Sequence, residues 1–168
     1  MSKNALEPVG DNATLSYSLS GTLSTGTLTS GTWAGNLSGT ITAVGTLTPL
    51  SGIYDITPNA LAIKEVDTTK IDSLAALSQP GTPDYGEVTL TVGYDNALTT
   101  LVNGWVAAKQ VLFFAPTVDD FSVADSKESF LGWVKGWTPL SEELKKDEPA
   151  KAKLTIKITG VANFTAGN

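Results

Sequence analysis

Residues 128–160 read ESFLGWVKGWTPLSEELKKDEPAKAKLTIKITG and hold two strand patterns joined by a charged insert. The first pattern places aromatic side chains at Phe130, Trp133 and Trp137, with two glycines among them. This uneven spacing predicts a strand that is bent or bulged near its middle. The second pattern alternates lysine or threonine with apolar residues from 151 to 159. Such alternation is typical of a strand that is buried on one face and solvated on the other, so the stretch indicates mainly β-structure.

The other clear patterns predict further strands and one helix. Residues 14–19 alternate between polar and apolar side chains, and residues 86–94 do so more strongly. Asp95 is a favourable N-cap for a helix over 96–108, in which apolar residues recur along one stripe. Residues 110–116 read QVLFFAP, and their apolar run indicates a central strand. We therefore predict a mainly β fold, a β-sandwich or open barrel with one packed α-helix.

The expected core follows from the same patterns. It takes large apolar residues from the helix stripe, the apolar strand, the aromatic strand and the apolar positions of the last strand. The candidate core residues are Trp105, Phe113, Trp133, Leu154 and Ile156.

The composition excludes several classes of function. The 168 residues include no cysteine, histidine or arginine, and 11 lysines are outnumbered by 17 acidic residues, which gives a net charge of −6. The chain thus lacks the commonest general base, metal ligand and thiol nucleophile. It also lacks the side chain that best grips phosphates and guanine edges, so tight or sequence-specific DNA binding is not expected. We predict a protein that is not an enzyme, with no catalytic, cofactor or metal site.

Membrane insertion is not expected either. The longest fully apolar run, residues 111–115, is far shorter than the roughly 20 residues that span a bilayer. Residues 1–12 have no apolar core of the kind found in signal peptides. We expect a soluble protein that is made inside the cell and does not contact a membrane.

The N-terminal third divides into an arm and an uncharged segment. Residues 1–11 are polar and predict an extended arm, whereas residues 12–168 predict a single domain. Residues 12–54 carry no charge, and the Gly/Thr/Leu-rich part at about 20–50 is too rich in glycine for a stable helix. Two interpretations fit this extended segment. It is either a flexible low-complexity stretch, or a set of short strands or an extended loop that becomes ordered against another chain.

Two charged connections complete the chain. Residues 67–84 predict a long loop, and residues 138–150 predict a solvated insert with room for a helix of one or two turns. Asp67, Asp72 and Asp84 lie in or beside the loop but lack the spacing of an EF-hand. Solvated loop carboxylates are therefore the preferred interpretation.

The pattern at the end of the chain resembles a known family. FLGWVKGW at 130–137, the insert, and KAKLTIKITG at 151–160 resemble the last part of the major tail tube proteins of phages with long non-contractile tails, the siphophages. The segment ITPNALAIKEVDTTKIDS at 56–73 is similar to the turn, strand and acidic loop of the same family. The resemblance covers about residues 52–168, and the strand at 14–19 more loosely. It implies the tail tube fold.

The resemblance also implies an assembly. Subunits would form hexameric rings whose sheets join edge to edge into a continuous inner barrel, and the rings would stack into a tube in the virion tail. The tube would be built around a tape measure protein, would meet tail terminator and distal tail proteins, and would conduct DNA without binding it specifically. Stacking would use the N-terminal arm and the long loop, with the Gly/Thr/Leu-rich segment at about 20–50 as a further candidate. The candidate inter-ring contacts are Leu6, Asp67, Thr68, Lys70 and Asp72.

A channel that conducts DNA should lack lysine clusters and be mildly acidic, so that phosphates are repelled. Glu87, Thr89 and Thr91 share one face of a predicted strand and are the candidate lumen row, whereas the lysine row of the last strand is a poor candidate.

Two alternative functions remain. One is a carbohydrate-binding or fibre module that stacks sugars on exposed tryptophans, and the other is a tail completion or connector subunit that forms a single ring.

Overall fold

The computed structural model describes residues 14–35, 39–50, 52–58, 62–68, 78–118, 126–140, 147 and 149–165. This part of the chain contains thirteen strands and one helix. In chain order these are β1 (Thr14–Ser18), β2 (Gly21–Leu23), β3 (Gly26–Thr29), β4 (Thr32–Gly35), β5 (Ile41–Val44), β6 (Thr48–Leu50), β7 (Ile53–Pro58), β8 (Ala62–Asp67), β9 (Ser78–Asp84), β10 (Glu87–Gly93), α1 (Asn96–Ala107), β11 (Leu112–Val118), β12 (Ser126–Thr138) and β13 (Lys151–Thr165). The predicted arm at 1–11 lies outside the described residues, as does most of the predicted insert.

The main sheet is an open barrel. It has seven strands in the order β6-β1-β11-β12-β13-β10-β7, and every neighbouring pair is antiparallel. Its edge strands β6 and β7 are separated in the chain by residues 51 and 52 alone. A flat sheet would hold these edges about 29 Å apart, whereas three Cα–Cα steps span at most about 11 Å. The sheet must therefore roll up until its two edges approach each other.

The larger hydrophobic cluster fills one side of this rolled sheet. The alternating apolar residues of β10 and β13 are buried in it, and helix α1 packs over them. Trp105 of the helix makes an edge-to-face contact with Tyr17, with ring centroids 4.8 Å apart. The side chain of Asp95 accepts a hydrogen bond from the Ala97 backbone N–H at 3.2 Å, which is the predicted N-cap. The predicted mainly β architecture with one packed helix is confirmed.

A second sheet covers part of the other side. Strands β4-β3-β2-β5 come from the uncharged segment at about 20–50 and form a four-stranded sheet. Because successive side chains of a strand point to opposite faces, Phe113 points away from Phe114 and packs with Leu131 against this sheet. A Cβ on Gly21 would lie 2.5 Å from the Phe113 ring, so the close approach of β2 requires glycine. These strands are therefore ordered against the chain's own main sheet.

Strands β8 and β9 form a separate two-stranded ribbon. Ala62 is paired with Asp84 in the ribbon and Pro58 with Val88 in the main sheet, so the ribbon continues the β7–β10 hairpin in the same register. The prediction of a loop over 67–84 is wrong for its second half, because Ser78–Asp84 is a strand. Residues 69–77 lie outside the described part of the chain.

The last two strands are long and irregular. The register of β12 against β13 shifts between Ser129 and Leu131 and again between Val134 and Gly136, in agreement with the predicted bulged aromatic strand. Strand β13 extends to Thr165, beyond the alternating stretch at 151–159. Together they form the longest ribbon of the described chain.

We predict that Phe113→Ala lowers the free energy of unfolding by about 3–5 kcal/mol, the usual cost of removing a buried aromatic side chain and leaving a cavity. Phe113 is fully buried between the two sheets, so its truncation removes the packing of β2 and β3 on β11. Denaturant unfolding measures it. The matched control, Val106→Ala on the exposed face of α1, should change the stability by less than about 0.5 kcal/mol.

Candidate assembly surfaces

The second sheet covers only part of one face of the main sheet, and the uncovered part of that face is polar. On β10 it carries Glu87, Thr89 and Thr91, which alternate with the buried Val88 and Leu90. These three candidate lumen residues are partly exposed in the single chain. They therefore share one face, as the sequence predicted.

The lysine row of β13 lies on this same face. Glu87 is directly opposite Lys157, and Thr91 is directly opposite Lys153. Directly opposed residues of an antiparallel pair project to the same side of the sheet. The candidate lumen row and the lysine row therefore face the same side of the sheet, so a surface that contacts Glu87 also lies beside Lys157. The sequence alone does not show that β10 and β13 are neighbours, so it does not reveal this juxtaposition.

Ion pairs connect the charges of this polar face. The Lys135 ammonium of β12 pairs with the Glu87 carboxylate across β13. Lys157 Nζ lies 2.7 Å from Asp84 Oδ1. Both pairs are partly exposed, so each contributes at most about 1 kcal/mol to stability. Their larger effect is to set an acidic group beside a lysine, which reduces the attraction of the face for phosphates.

The charges of the polar face are not evenly spread. Its lysines lie on β12 and β13, whereas its carboxylates lie on β10, β7 and β9, at Glu87, Asp55 and Asp84. Asp55 is exposed and lies opposite Thr91. One flank of the face is therefore basic and the other acidic. Lys135 and Asp55 were not singled out from the sequence, although each is the only charged residue of its exposed strand end.

Both flanks end in strand edges that no described strand pairs. β7 is the last strand of the sheet and pairs only with β10. On the opposite flank, β11 reaches β12 only as far as the pair Leu112 and Gly132. The outer edge of residues 133–138 therefore has no strand partner in the described chain. Unpaired edges present backbone donors and acceptors that another chain can use.

The ribbon is the second candidate surface. Asp67 and Thr68 are exposed at its described end, whereas Leu6, Lys70 and Asp72 of the predicted inter-ring contacts lie outside the described residues. An isolated two-stranded ribbon is only marginally stable in water. Pro80 and Pro83 of β9 lack the N–H groups that a further strand would need.

A tight corner fixes the ribbon to the body. The Gly86 backbone N–H donates to Asp84 Oδ1 at 2.9 Å, and the Ile158 N–H donates to the Gly86 carbonyl at 3.1 Å. Gly86 has a φ of 75°, a conformation that favours glycine. The same Asp84 carboxylate receives Lys157, so the corner joins the ribbon to β13.

Four of the five candidate core residues lie in the core. Trp105, Phe113, Leu154 and Ile156 are buried. Trp133 is 40% exposed, so its placement in the core is wrong for the single chain. It pairs with Lys157 and thus lies on the polar face.

The described residues contain no group of three or more acidic, histidine or cysteine side chains arranged to hold a metal ion. Within the same part of the chain, no helix has the length and apolarity needed to cross a bilayer.

The sequence matches no protein-family model, and a comparison with curated protein sequences also found no match. The fold does match solved structures. A chain of the anti-feeding prophage baseplate, from a 6-fold symmetrised cryo-electron microscopy structure, has a TM-score of 0.60 at 10% identity, with 99% of this chain and 98% of that chain covered.

Two further matches come from an extracellular contractile injection system. A chain of its sheath–tube complex in the extended state gives a TM-score of 0.54 at 10% identity over 96% of this chain and 94% of that chain. A chain of its sheath/tube terminator gives 0.52 at 11% identity over 97% and 100%. The protein therefore has the fold of structural chains from phage-tail-like contractile assemblies.

We predict that Gly86→Ala lowers the free energy of unfolding by about 1–2 kcal/mol, since a Cβ is disfavoured in the left-handed region. Denaturant unfolding and the rate of proteolysis within the ribbon measure the change. The control is Gly104→Ala in α1, where a Cβ would meet nothing within 4 Å. This control should stabilise the protein by up to about 1 kcal/mol, because alanine is the better helix former.

Proposed function

We propose that this protein is a structural subunit of a phage tail tube, in which copies form hexameric rings and the rings stack into a tube that conducts DNA. The correspondence of nearly the whole chain with chains of baseplate, sheath–tube and terminator assemblies is the observation that carries the proposal. The sequence resemblance favours the major tail tube protein of a siphophage. The partners would be a tape measure protein and the terminator and distal tail proteins, and the site of action would be the virion tail after assembly in the host cytoplasm.

In this proposal the polar face, with Glu87, Thr89 and Thr91, lines the channel. Its lysines accompany these residues into the lumen, because the register places both rows on one side. The pairs Lys135–Glu87 and Lys157–Asp84 then limit the attraction for phosphate that free lysines would exert. A channel lined in this way lets DNA pass without holding it.

The ribbon serves stacking in the same proposal. It extends the β7–β10 hairpin away from the main sheet and carries exposed charge at Asp67. A ribbon that is weakly stable alone gains stability when a neighbouring ring packs against it. In this proposal the residues that contact the neighbouring ring also include Leu6, Thr68, Lys70 and Asp72.

A single-ring terminator or connector is the second candidate. It is favoured by the matches to a sheath/tube terminator and to the anti-feeding prophage tube-terminating cap, the latter with a TM-score of 0.51 at 10% identity over 99% of this chain and 97% of that chain. A sugar-binding module receives less support. Of the four tryptophans only Trp133 is exposed by more than a third, and stacking platforms need several aligned exposed rings.

Negative-stain microscopy of the purified protein after concentration and storage tests the proposal. Long hollow tubes of constant width are expected for a tube subunit. Isolated rings that never stack would instead support the connector. Monomers that persist at high concentration and bind a glycan array would overturn both assembly roles.

We predict that reversing the charge at the end of the ribbon separates stacking from ring formation. Asp67→Lys combined with Thr68→Lys should give rings but few or no tubes, because the two changes turn an acidic surface that is proposed to contact the next ring into a basic one. The control, Asn103→Lys on the exposed face of α1, should leave tubes intact. Tubes of normal length in the ribbon variant would show that stacking uses another surface.

A further inference from the structure

The ribbon of β8 and β9 is not held to the main sheet by an apolar contact of the described residues. Neither hydrophobic cluster of the described chain includes a residue of β8 or β9. The ribbon side chains whose burial is described are exposed, except Gly81 and Asp84, which are partly buried. Two short stretches of chain, residues 59–61 and 85–86, join the ribbon to β7 and β10. The direction in which the ribbon leaves the main sheet therefore depends on polar contacts near these connections.

The backbone leaves the extended conformation between β9 and β10. Gly86 has a φ of 75°, and its carbonyl accepts a hydrogen bond from the Ile158 N–H at 3.1 Å. This bond lies on the main-sheet side of the corner, so it fixes the start of β10 beside β13. The ribbon ends two residues earlier, at Asp84, and a different contact must hold it.

The Asp84 side chain supplies such a contact. Its Oδ1 accepts a hydrogen bond from the Gly86 N–H at 2.9 Å and lies 2.7 Å from Lys157 Nζ. The first bond spans the corner along the chain, and the second crosses from the ribbon to β13. Both are hydrogen bonds to a charged acceptor, which are stronger than bonds between neutral groups. Because they act in different directions, together they restrict rotation of the ribbon more than either one alone.

Lys157 has a second carboxylate close by, but that carboxylate is already paired. Glu87 is directly opposite Lys157 on β10. The Lys135 ammonium pairs with Glu87 from the other side, so the charge of Glu87 is compensated and the Lys157 ammonium reaches Asp84. The two lysines thus serve different parts of the molecule, one within the main sheet and the other between the main sheet and the ribbon.

We infer that Asp84 positions the ribbon: its carboxylate, bound by the Gly86 N–H and the Lys157 ammonium, sets the angle at which the ribbon leaves the main sheet. The ion pair is partly exposed, and such pairs contribute little to the stability of a fold. It suffices here because no apolar packing of the described residues opposes a change of this angle. Loss of the carboxylate leaves the main sheet intact and frees the ribbon to swing about the corner.

Distances between two spin labels on the isolated chain test the inference. The chain has no cysteine, so labels can be attached at Ser78→Cys on the exposed end of the ribbon and Asn103→Cys on the exposed face of α1. Double electron–electron resonance gives the distribution of the distance between them. Asp84→Ala removes both contacts and should widen this distribution about twofold or more. Asp84→Asn keeps an acceptor for the Gly86 N–H and should widen it less.

Further variants separate the ion pair from other effects. Lys157→Gln removes the ammonium and leaves the backbone contact at the corner, so it should match Asp84→Asn. Combining the two changes should widen the distribution no more than the worse single change, because both remove the same ion pair. Asp55→Asn, on the polar face but away from the corner, should have no effect. A second label pair within the body, Asn103→Cys with Lys153→Cys, should stay narrow in every variant and so shows that the chain is folded.

The consequence of this inference for assembly rests on the proposed function. A ribbon that is already held at its angle loses less conformational freedom when it meets the next ring. Asp84→Ala should therefore raise the concentration at which half of the rings have stacked by about fivefold or more, with ring formation unchanged. Asp55→Asn is the matched control and should leave stacking unchanged. Electron microscopy of a concentration series measures both.

The outcomes distinguish this inference from the proposed function. A ribbon distribution as narrow in Asp84→Ala as in the unchanged protein, with the body pair also narrow, would overturn the positioning role and leave the proposed function intact. A distribution that is already wide in the unchanged protein would overturn it as well. A distribution widened by Asp84→Ala together with normal stacking would support the positioning role and show that the ribbon is not a stacking contact. An unchanged protein that never assembles would overturn the proposed function, and the label distances would still decide the role of Asp84.

Discussion

The alternation of side chains along β13 determines the two faces of the main sheet. Leu154 and Ile156 enter the core while Lys153 and Lys157 project to the opposite face. A slip of one residue would bury the lysines and expose the apolar row, at a cost of several kcal/mol for each buried charge. Because β13 pairs with both β10 and β12, its register also brings Glu87 beside Lys157. The same constraint therefore builds the core and sets the charge pattern of the polar face.

The short connection between β6 and β7 imposes a second constraint. The sheet must curve because β6 and β7 lie at its opposite edges but are joined by only two residues. The barrel thus approaches closure without a continuous hydrogen-bond ladder between its edges. The outer edge of β7 keeps its backbone groups free of any described strand, which is a feature that an isolated domain would normally protect.

Local periodicity predicted most strands of the main sheet, but it did not predict how these strands pair or which side chains reach the core. The alternation of β10, the Asp95 cap and the apolar stripe of α1 are properties of neighbouring residues, so the sequence shows them directly. Trp133 was misplaced because the bulge between Val134 and Gly136 shifts the phase of the strand. Trp137 returns to the core side while Trp133 stays with Lys157, and no local pattern locates that shift. Strand β9 was missed because its prolines disfavour strands except at edges.

The sequence does not decide between the two interpretations of the segment at about 20–50. Glycine-rich turns separate its leucines, so the leucines follow no single period. Its order comes from a non-local contact, the packing of Leu23 and Leu28 on Phe113 and Leu131. This contact covers the main sheet over β11 and the adjoining part of β12, where apolar side chains would otherwise meet water. It stops where the charged residues Lys135 and Lys157 begin. The boundary between the covered and the open part of the sheet thus follows the chemistry of its side chains, and the open part is the one suited to contact with water or another polar surface.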